Sequence, residues 1–173
     1  IKLDVSGNLV WSYVPDYSND FSSALDIEVD ENQNSYIVGR FVYNISIGAD
    51  TLTSSSSREN ALFFSLDADG EPLWSKYWTG HRDWNNAIRH HTQANGICQA
   101  GNGDFYITGT FERQLYIDND TIQTVSGDNS YQDAFIARIS EIGKVDRALV
   151  AFSSGDIYCI QRAPDSDKIY LGG

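Results

Sequence analysis

All three histidines of the chain, His81, His90 and His91, fall within eleven residues, together with Arg82, Asp83, Trp84 and Arg89, and Trp78 lies just before them. Imidazole is the side chain that changes charge near neutral pH. Guanidinium groups pair with carboxylates and phosphates through two parallel hydrogen bonds. Indole rings offer a flat apolar face with a polar edge. This set suits an anionic or sugar ligand: His81, Arg82 and His90 supply polar contacts, Trp78 or Trp84 a stacking face, with Arg89 and His91 alongside. Metal chelation is not predicted. His90 and His91 are adjacent, side chains of adjacent residues on an extended segment point apart, and no third imidazole or carboxylate at ligand spacing accompanies them. The competing reading is a solvated connection with packing tryptophans.

Other candidates are weaker. Asp67-Ala68-Asp69-Gly70 resembles the opening of a Ca²⁺ loop, but position 78, where the bidentate Glu belongs, is Trp. The equivalent Asp4-Val5-Ser6-Gly7 loses the second carboxylate, so both are predicted to be hairpin turns. No cofactor is expected, and Ca²⁺ has no supporting motif. Gly-x-Ser-x-Gly, P-loop and dinucleotide signatures are absent. Carboxylates are abundant, but none is singled out for glycoside cleavage, and no catalytic residue is assigned.

The elements that must position these residues repeat. Leu3-Asp4-Val5-Ser6-Gly7-Asn8-Leu9-Val10-Trp11 returns as Leu66-Asp67-Ala68-Asp69-Gly70-Glu71-Pro72-Leu73-Trp74, and again as Ile139 to Arg147 with Arg147 in place of Trp. Ser35-Tyr36-Ile37-Val38-Gly39 returns as Phe105-Tyr106-Ile107-Thr108-Gly109 and Lys168-Ile169-Tyr170-Leu171-Gly172. A fixed period of several tens of residues marks a repeat architecture. Leu25, Ile27 and Val29 alternate with Asp26 and Glu28, the period of a strand. Each unit is read as four short strands: residues 24–29, 35–41, 61–66 and 72–77 in the first, 97–100, 105–111, 134–139 and 145–150 in the second. The fold class is all-β, an incomplete β-propeller of four-stranded antiparallel blades, about two full blades plus parts of two more. Residues 1–14 form an outer strand of a preceding blade, 15–78 and 79–152 the two complete blades, and 153–173 the first two strands of a following one.

The Ala24-x-Asp26-Ile27-x-Val29-Asp30, Asn34-x-Tyr36-Ile37-x-Gly39 and Asp133-Ala134-Phe135 strands, with the Gly-turn-Trp strand, resemble the bacterial β-propeller repeat called SBBP. The resemblance covers almost the whole chain. It implies a large secreted or surface-bound bacterial protein and carries no catalytic residues. Within the long loop between second and third strands, Asp50-Thr51-Leu52 aligns with Asp120-Thr121-Ile122. These triplets resemble the Asp-Thr-apolar acceptor of bacterial O-glycans and make Thr51 and Thr121 candidate glycosylation sites. The alternative is a turn that each blade repeats. Two Asn-x-Ser/Thr sequons, Asn44 and Asn119, lie in the same loops.

The formal net charge is −12 and no Lys/Arg cluster exists, which argues against nucleic acid as a partner. No run of 18 apolar residues occurs, so membrane insertion is not expected. Both ends fall mid-blade, which points to a segment of a larger polypeptide whose remaining blades are the first partners. The expected role is non-enzymatic: a loop face presented to a protein or glycan, outside the cell or on its surface. A propeller hydrolase or lyase acting on glycan, or a spacer in an adhesin, are the alternatives. Seven added residues are placed between Ala87 and Ile97, so His81 and residues 89–95 are expected on an exposed rim. Cys98 and Cys159 fall on inner strands at opposite parity and are expected as two buried free thiols.

Overall fold

The computed structural model describes residues 1–17, 21–54, 58–80, 91–118, 120–125, 132–164 and 168–173. Every regular element among them is a strand, and all pairings are antiparallel. In chain order they are β1 (Lys2–Leu3), β2 (Leu9–Trp11), β3 (Asp16–Tyr17), β4 (Ser22–Val29), β5 (Ser35–Phe41), β6 (Asn44–Ile47), β7 (Asp50–Thr53), β8 (Asn60–Leu66) and β9 (Pro72–Gly80). There follow β10 (Thr92–Gln99), β11 (Phe105–Glu112), β12 (Gln114–Ile117), β13 (Asp120–Gln123), β14 (Gln132–Ile139), β15 (Val145–Phe152), β16 (Cys159–Arg162) and β17 (Ile169–Gly172).

The repeat in sequence is a repeat in register. β4, β5, β8 and β9 are neighbours in that order, as are β10, β11, β14 and β15. Ser22 pairs with Phe41 and Val29 with Ser35; seventy residues on, Thr92 pairs with Phe111 and Gln99 with Phe105. The same bulge interrupts both hairpins, after Ala24 and after Ala94. The β1–β2 pairing, Lys2 with Trp11, is the β8–β9 pairing, Ser65 with Trp74, sixty-three residues earlier. Because β10 matches β4 from its first residue, Thr92 to Gly96 are strand, not insertion. The added residues precede Thr92. Thr92, Ala94 and Asn95 are buried, so the expected exposed rim does not reach them.

The segment between second and third strands is not a loop. It is a hairpin, β6–β7 in the first unit and β12–β13 in the second, with Ile45 paired to Leu52 and Leu115 to Ile122. Each hairpin also pairs with the strand that leaves the unit before it. β6 takes β3 through Asp16–Ser46 and Tyr17–Ile45; β12 takes β9 through Thr79–Tyr116 and Gly80–Leu115. Ile45, Ile47, Leu115 and Ile117 turn inward and are fully buried. Four residues with Asn, Ser and Asp among them carry little strand signal alone, and tertiary packing decides the outcome.

Two aromatic layers result. Tyr36, Val38, Phe63 and Trp78 of the first sheet meet Phe105, Ile107, Phe135 and Ile139 of the second. The opposite face of the first sheet packs Ile37, Phe41, Leu62 and Phe64 against the hairpin residues Ile45 and Ile47. Trp74 packs against the edge of the first layer, beside Tyr36 and Phe63, and Trp11 against the second. Each lies over the third-to-fourth-strand turn of the next unit: Trp11 Nε1 donates to the Ala68 carbonyl and Trp74 Nε1 to the Glu141 carbonyl, both at 2.9 Å. The indoles rest on Gly70 and Gly143, whose positive φ angles of 89° and 74° suit glycine and leave no side chain in the way.

The inner strands are tied by side chains. The Asp26 carboxylate accepts the backbone N–H of Ile97, 2.9 Å away across the junction between sheets, and Glu28 accepts that of Gln99. Asn95, at the bulge, donates to the Ile157 carbonyl at 2.7 Å. A methyl group on Gly39 would overlap the Ser23 carbonyl, on Gly109 the Gln93 carbonyl, and on Gly173 the Asp156 carbonyl. The third signature glycine is therefore Gly173 rather than Gly172, because the β16–β17 turn is one residue longer. Both thiols are free, and only Cys98 is buried; Cys159 is exposed on β16. Burial, with Glu28 and Asp26 nearby, pushes the Cys98 thiol up to about 11.

Gly109→Ala should cost far more than Gly103→Ala. Gly103 has a positive φ but open space around it, so its replacement should cost about 1–2 kcal/mol, whereas Gly109→Ala must move the β10–β11 ladder; urea unfolding of the two variants decides. Burial and the neighbouring Asp26 raise the Glu28 pKa. A raised carboxyl pKa means that ionisation opposes folding, so this group's contribution improves as pH falls through its folded pKa toward the unfolded value near 4.5. Glu28→Gln, which keeps the acceptor for Gln99, should remove that pH dependence and be no less stable than the parent at pH 7, measured by thermal melts across pH 4–8.

Candidate functional site

At the end of the sheets where β4, β8 and β10 begin and β5 stops, charged side chains converge. Arg40, near the end of β5, pairs through Nη1 with Glu59 Oε1 at 2.9 Å. Glu59 Oε2 lies 2.8 Å from His91 Nδ1. Arg40 also donates to Gln93 Oε1 at 2.9 Å and to Ser23 Oγ at 3.3 Å, and its guanidinium sits 4.6 Å from the Phe21 ring centroid. The Glu59 carbonyl accepts the Thr92 N–H at 3.2 Å, which fixes the entry of β10 against the first sheet. The cluster spans two units.

Its chemistry follows from its geometry. A carboxylate only accepts, so the His91 Nδ1 carries the proton in this contact, whether the ring is neutral or charged. Nε2 is then the nitrogen left for another partner. The side chains of Arg40, Glu59 and His91 are 27%, 17% and 32% exposed, so the cluster is lodged at the surface and reachable from solvent. One carboxylate between a guanidinium and an imidazole orients both groups and leaves the three together neutral or positive in a chain that is strongly negative.

Of the sequence candidates, His91 belongs to this cluster. His81, Arg82, Trp84, Arg89 and His90 lie outside the described residues, as does Asn119. The first five belong to the connection from β9 to β10, whose two ends, Gly80 and Thr92, lie at this end of the sheets. Trp78 is a correction. On β9 it pairs with Ala61 of β8, is 1% exposed, and packs between Phe63 and Phe135 at 4.5 and 5.7 Å between ring centroids. The period-2 alternation of β9 turns it into the layer between sheets, where no ligand could stack on it. Thr51 and Thr121 are exposed at matching positions of β7 and β13, opposite Ser46 and Tyr116, on strands rather than a loop. Thr51 Oγ1 lies 3.1 Å from Ser46 Oγ. Asp67 Oδ1 accepts the N–H groups of Asp69 and Glu71, each at 2.9 Å, and Asp4 does the same for Ser6 and Asn8, so both carboxylates organise their turns. Among the described residues, no group of three metal-ligating side chains occurs.

Sequence reasoning missed Arg40, Glu59 and Gln93. A signal existed in the repeat itself: Arg40 occupies the place of Thr110, Glu59 that of Gln132, and His91 that of Phe21. Charge appears at one junction only, at positions that are neutral in their counterparts. No family model matches the chain, and comparison with curated proteins returns no match.

Glu59→Gln removes the charge that holds both Arg40 and His91. It should lower stability by about 1.5–3 kcal/mol, the range for hydrogen bonds to charged groups, and loosen His91. Denaturant unfolding measures the first. Two-dimensional NMR of the imidazole measures the second, as a shift of the His91 Nδ1–H signal toward solvent exchange.

Proposed function

We propose that the chain is an arc of a β-propeller, its four-stranded units acting as consecutive blades, in a secreted or cell-surface protein that binds a protein or glycan without turning it over. The observation that carries the reading is the charged junction of Arg40, Glu59 and His91 at the sheet ends from which the His- and Arg-rich connection departs. Connections held by a rigid scaffold are where binding residues concentrate. The stack of like units, each covering the face of the next, supports the propeller: four-stranded sheets of this kind close into a ring when repeated about four to eight times. The resemblance to the SBBP repeat supports the secreted or surface-bound setting. Thr51 and Thr121, exposed on matching strands, remain the proposed glycan acceptors.

On this reading the ligand is acidic or a sugar, met by His81, Arg82 and His90 beside the anchored His91. Polygalacturonate and neutral dextran are suitable probes, followed by calorimetry and by release of reducing ends. The parent should bind polygalacturonate more tightly at pH 6 than at pH 7.5, because an ordinary imidazole gains its proton near about 6.5. The triple variant His81→Ala, Arg82→Ala, His90→Ala should lose that binding with its melting temperature unchanged. Undiminished binding would remove the loop from the site, and release of reducing ends would replace the binding reading with a hydrolase.

A further inference from the structure

We propose that Asn102 is a site of self-modification: its side-chain amide is lost through attack by the Gly103 nitrogen, and the β10–β11 turn gains a carboxylate that faces Arg138 and Arg162. This inference is independent of the propeller and of any ligand at the charged junction.

The sequence holds two Asn-Gly pairs, Asn95-Gly96 and Asn102-Gly103. Glycine has no Cβ to hinder attack of its own nitrogen on the side chain before it, and its backbone turns freely into the geometry required. The structure treats the two pairs differently. Asn95 is 7% exposed, with Nδ2 bonded to the Ile157 carbonyl at 2.7 Å. Gly96 lies on β10 opposite Thr108, with Ile160 of the next unit against it. Neither residue can turn without unpacking the junction. Asn102 is exposed in the turn, and a Cβ on Gly103 would meet nothing within 4 Å.

The attacking nitrogen is open as well. In four other turns the corresponding N–H is bonded: Gly7 to the Asp4 carbonyl at 3.0 Å, Gln33 to Asp30 at 3.0 Å, Gly70 to Asp67 at 3.1 Å and Gly143 to Ser140 at 2.8 Å. The β10–β11 turn is closed by the Ala100 N–H on the Asp104 carbonyl, at 2.6 Å, and among the described residues the Gly103 N–H has no acceptor. The electrophile is already folded back. Asn102 Nδ2 donates to Asp104 Oδ2 at 2.9 Å, and Asn102 Oδ1 accepts the Asp104 N–H at 3.4 Å. A side chain bonded two residues ahead crosses the peptide between, which brings Cγ over the Gly103 nitrogen. Asp104 is itself held by Arg138, through Nε at 2.9 Å and Nη2 at 2.6 Å.

The step needs only water. The Gly103 N–H gives its proton to solvent, its nitrogen bonds to Asn102 Cγ, and the Cγ–Nδ2 bond breaks. Ammonia leaves with a proton taken from water, and a five-membered succinimide remains. Water then adds to either ring carbonyl and opens the ring to an aspartyl or isoaspartyl residue. The balance is one amide and one water consumed, one carboxylate and one ammonium formed. The product carboxylate borders a groove of about 350 Å³ lined by Asn102, Tyr106, Arg138, Arg162 and Ile169 among others. Arg162 belongs to the next unit, and its Nη2 would lie 3.0 Å from a Cβ on Gly101. Carboxylate–guanidinium bonds are among the stronger polar contacts. Ageing therefore adds a charged tie between the second unit and β16.

The test follows the whole chain, folded and in urea, in heavy-oxygen water at mildly alkaline pH, by peptide mass mapping. In urea the two Asn-Gly pairs should convert alike. In the folded chain Asn102 should convert at least about tenfold faster than Asn95, a difference within reach of geometry alone, with heavy oxygen in both aspartyl and isoaspartyl products. Asn102→Gln, which would have to close a larger ring, should keep its amide. Folded-chain conversion at Asn102 no faster than at Asn95, or equal conversion in Asn102→Gln, would overturn the site. For the charged tie, Arg162→Gln should lower the melting temperature more in an Asn102→Asp background than in the parent. Additive effects of the two substitutions would overturn the tie.

Discussion

The structure depends on strand pairing that crosses from one unit to the next. The end of each outgoing strand, β3 or β9, becomes the partner of the following unit's hairpin, β6 or β12. A sheet face alone could slide on its neighbour, since apolar contact has no direction. Backbone hydrogen bonds do have direction and spacing, and a slip of one residue would turn Ile45 and Leu115 out of the core. Once that register is held, the other junction contacts fall into place. Trp11 and Trp74 land on the carbonyls of Ala68 and Glu141, and Asp26 reaches the N–H of Ile97.

The charged cluster is a product of the same constraint. Arg40 and Glu59 belong to the first unit, and His91 and Gln93 to the second. They meet because β10 starts beside the β5–β8 end of the first sheet, with the Thr92 N–H bonded to the Glu59 carbonyl. Arg40 and Glu59 pair within the first unit, but His91 and Gln93 find these partners only across the junction. The burial of Trp78 and the surface position of His91 come from the same few residues. β9 sends Trp78 inward at its end, and β10 begins one residue after His91.

Much of the fold was legible in the sequence. The three Gly-turn signatures and the alternation over Leu25 to Val29 locate hairpins because turn chemistry and side-chain period are local properties. The hairpins β6–β7 and β12–β13 were not legible, since their four-residue strands are held by β3 and β9, which are distant in sequence. Thr92 to Gly96 were misplaced because Thr-Gln-Ala-Asn-Gly has the composition of a loop; its strand character comes from pairing with β11. The site was legible as far as its histidines. Arg40 and Glu59 escaped notice because ordinary surface strands carry such residues, and only their counterparts Thr110 and Gln132 mark them as different.

The tryptophan clamp has a direction. Trp11 secures the turn of the first complete unit, and Trp74 secures that of the second, so each unit is braced by the one before it. Arg147 stands where the next indole would be, paired opposite Arg138, whose guanidinium engages Asp104 and Asp146. In a stack whose stability is a sum of nearest-neighbour terms, this makes cooperativity polar. Losing the unit that carries Trp74 would unbrace the turn at Glu141, whereas losing the unit that carries Glu141 would take no brace from the turn at Ala68.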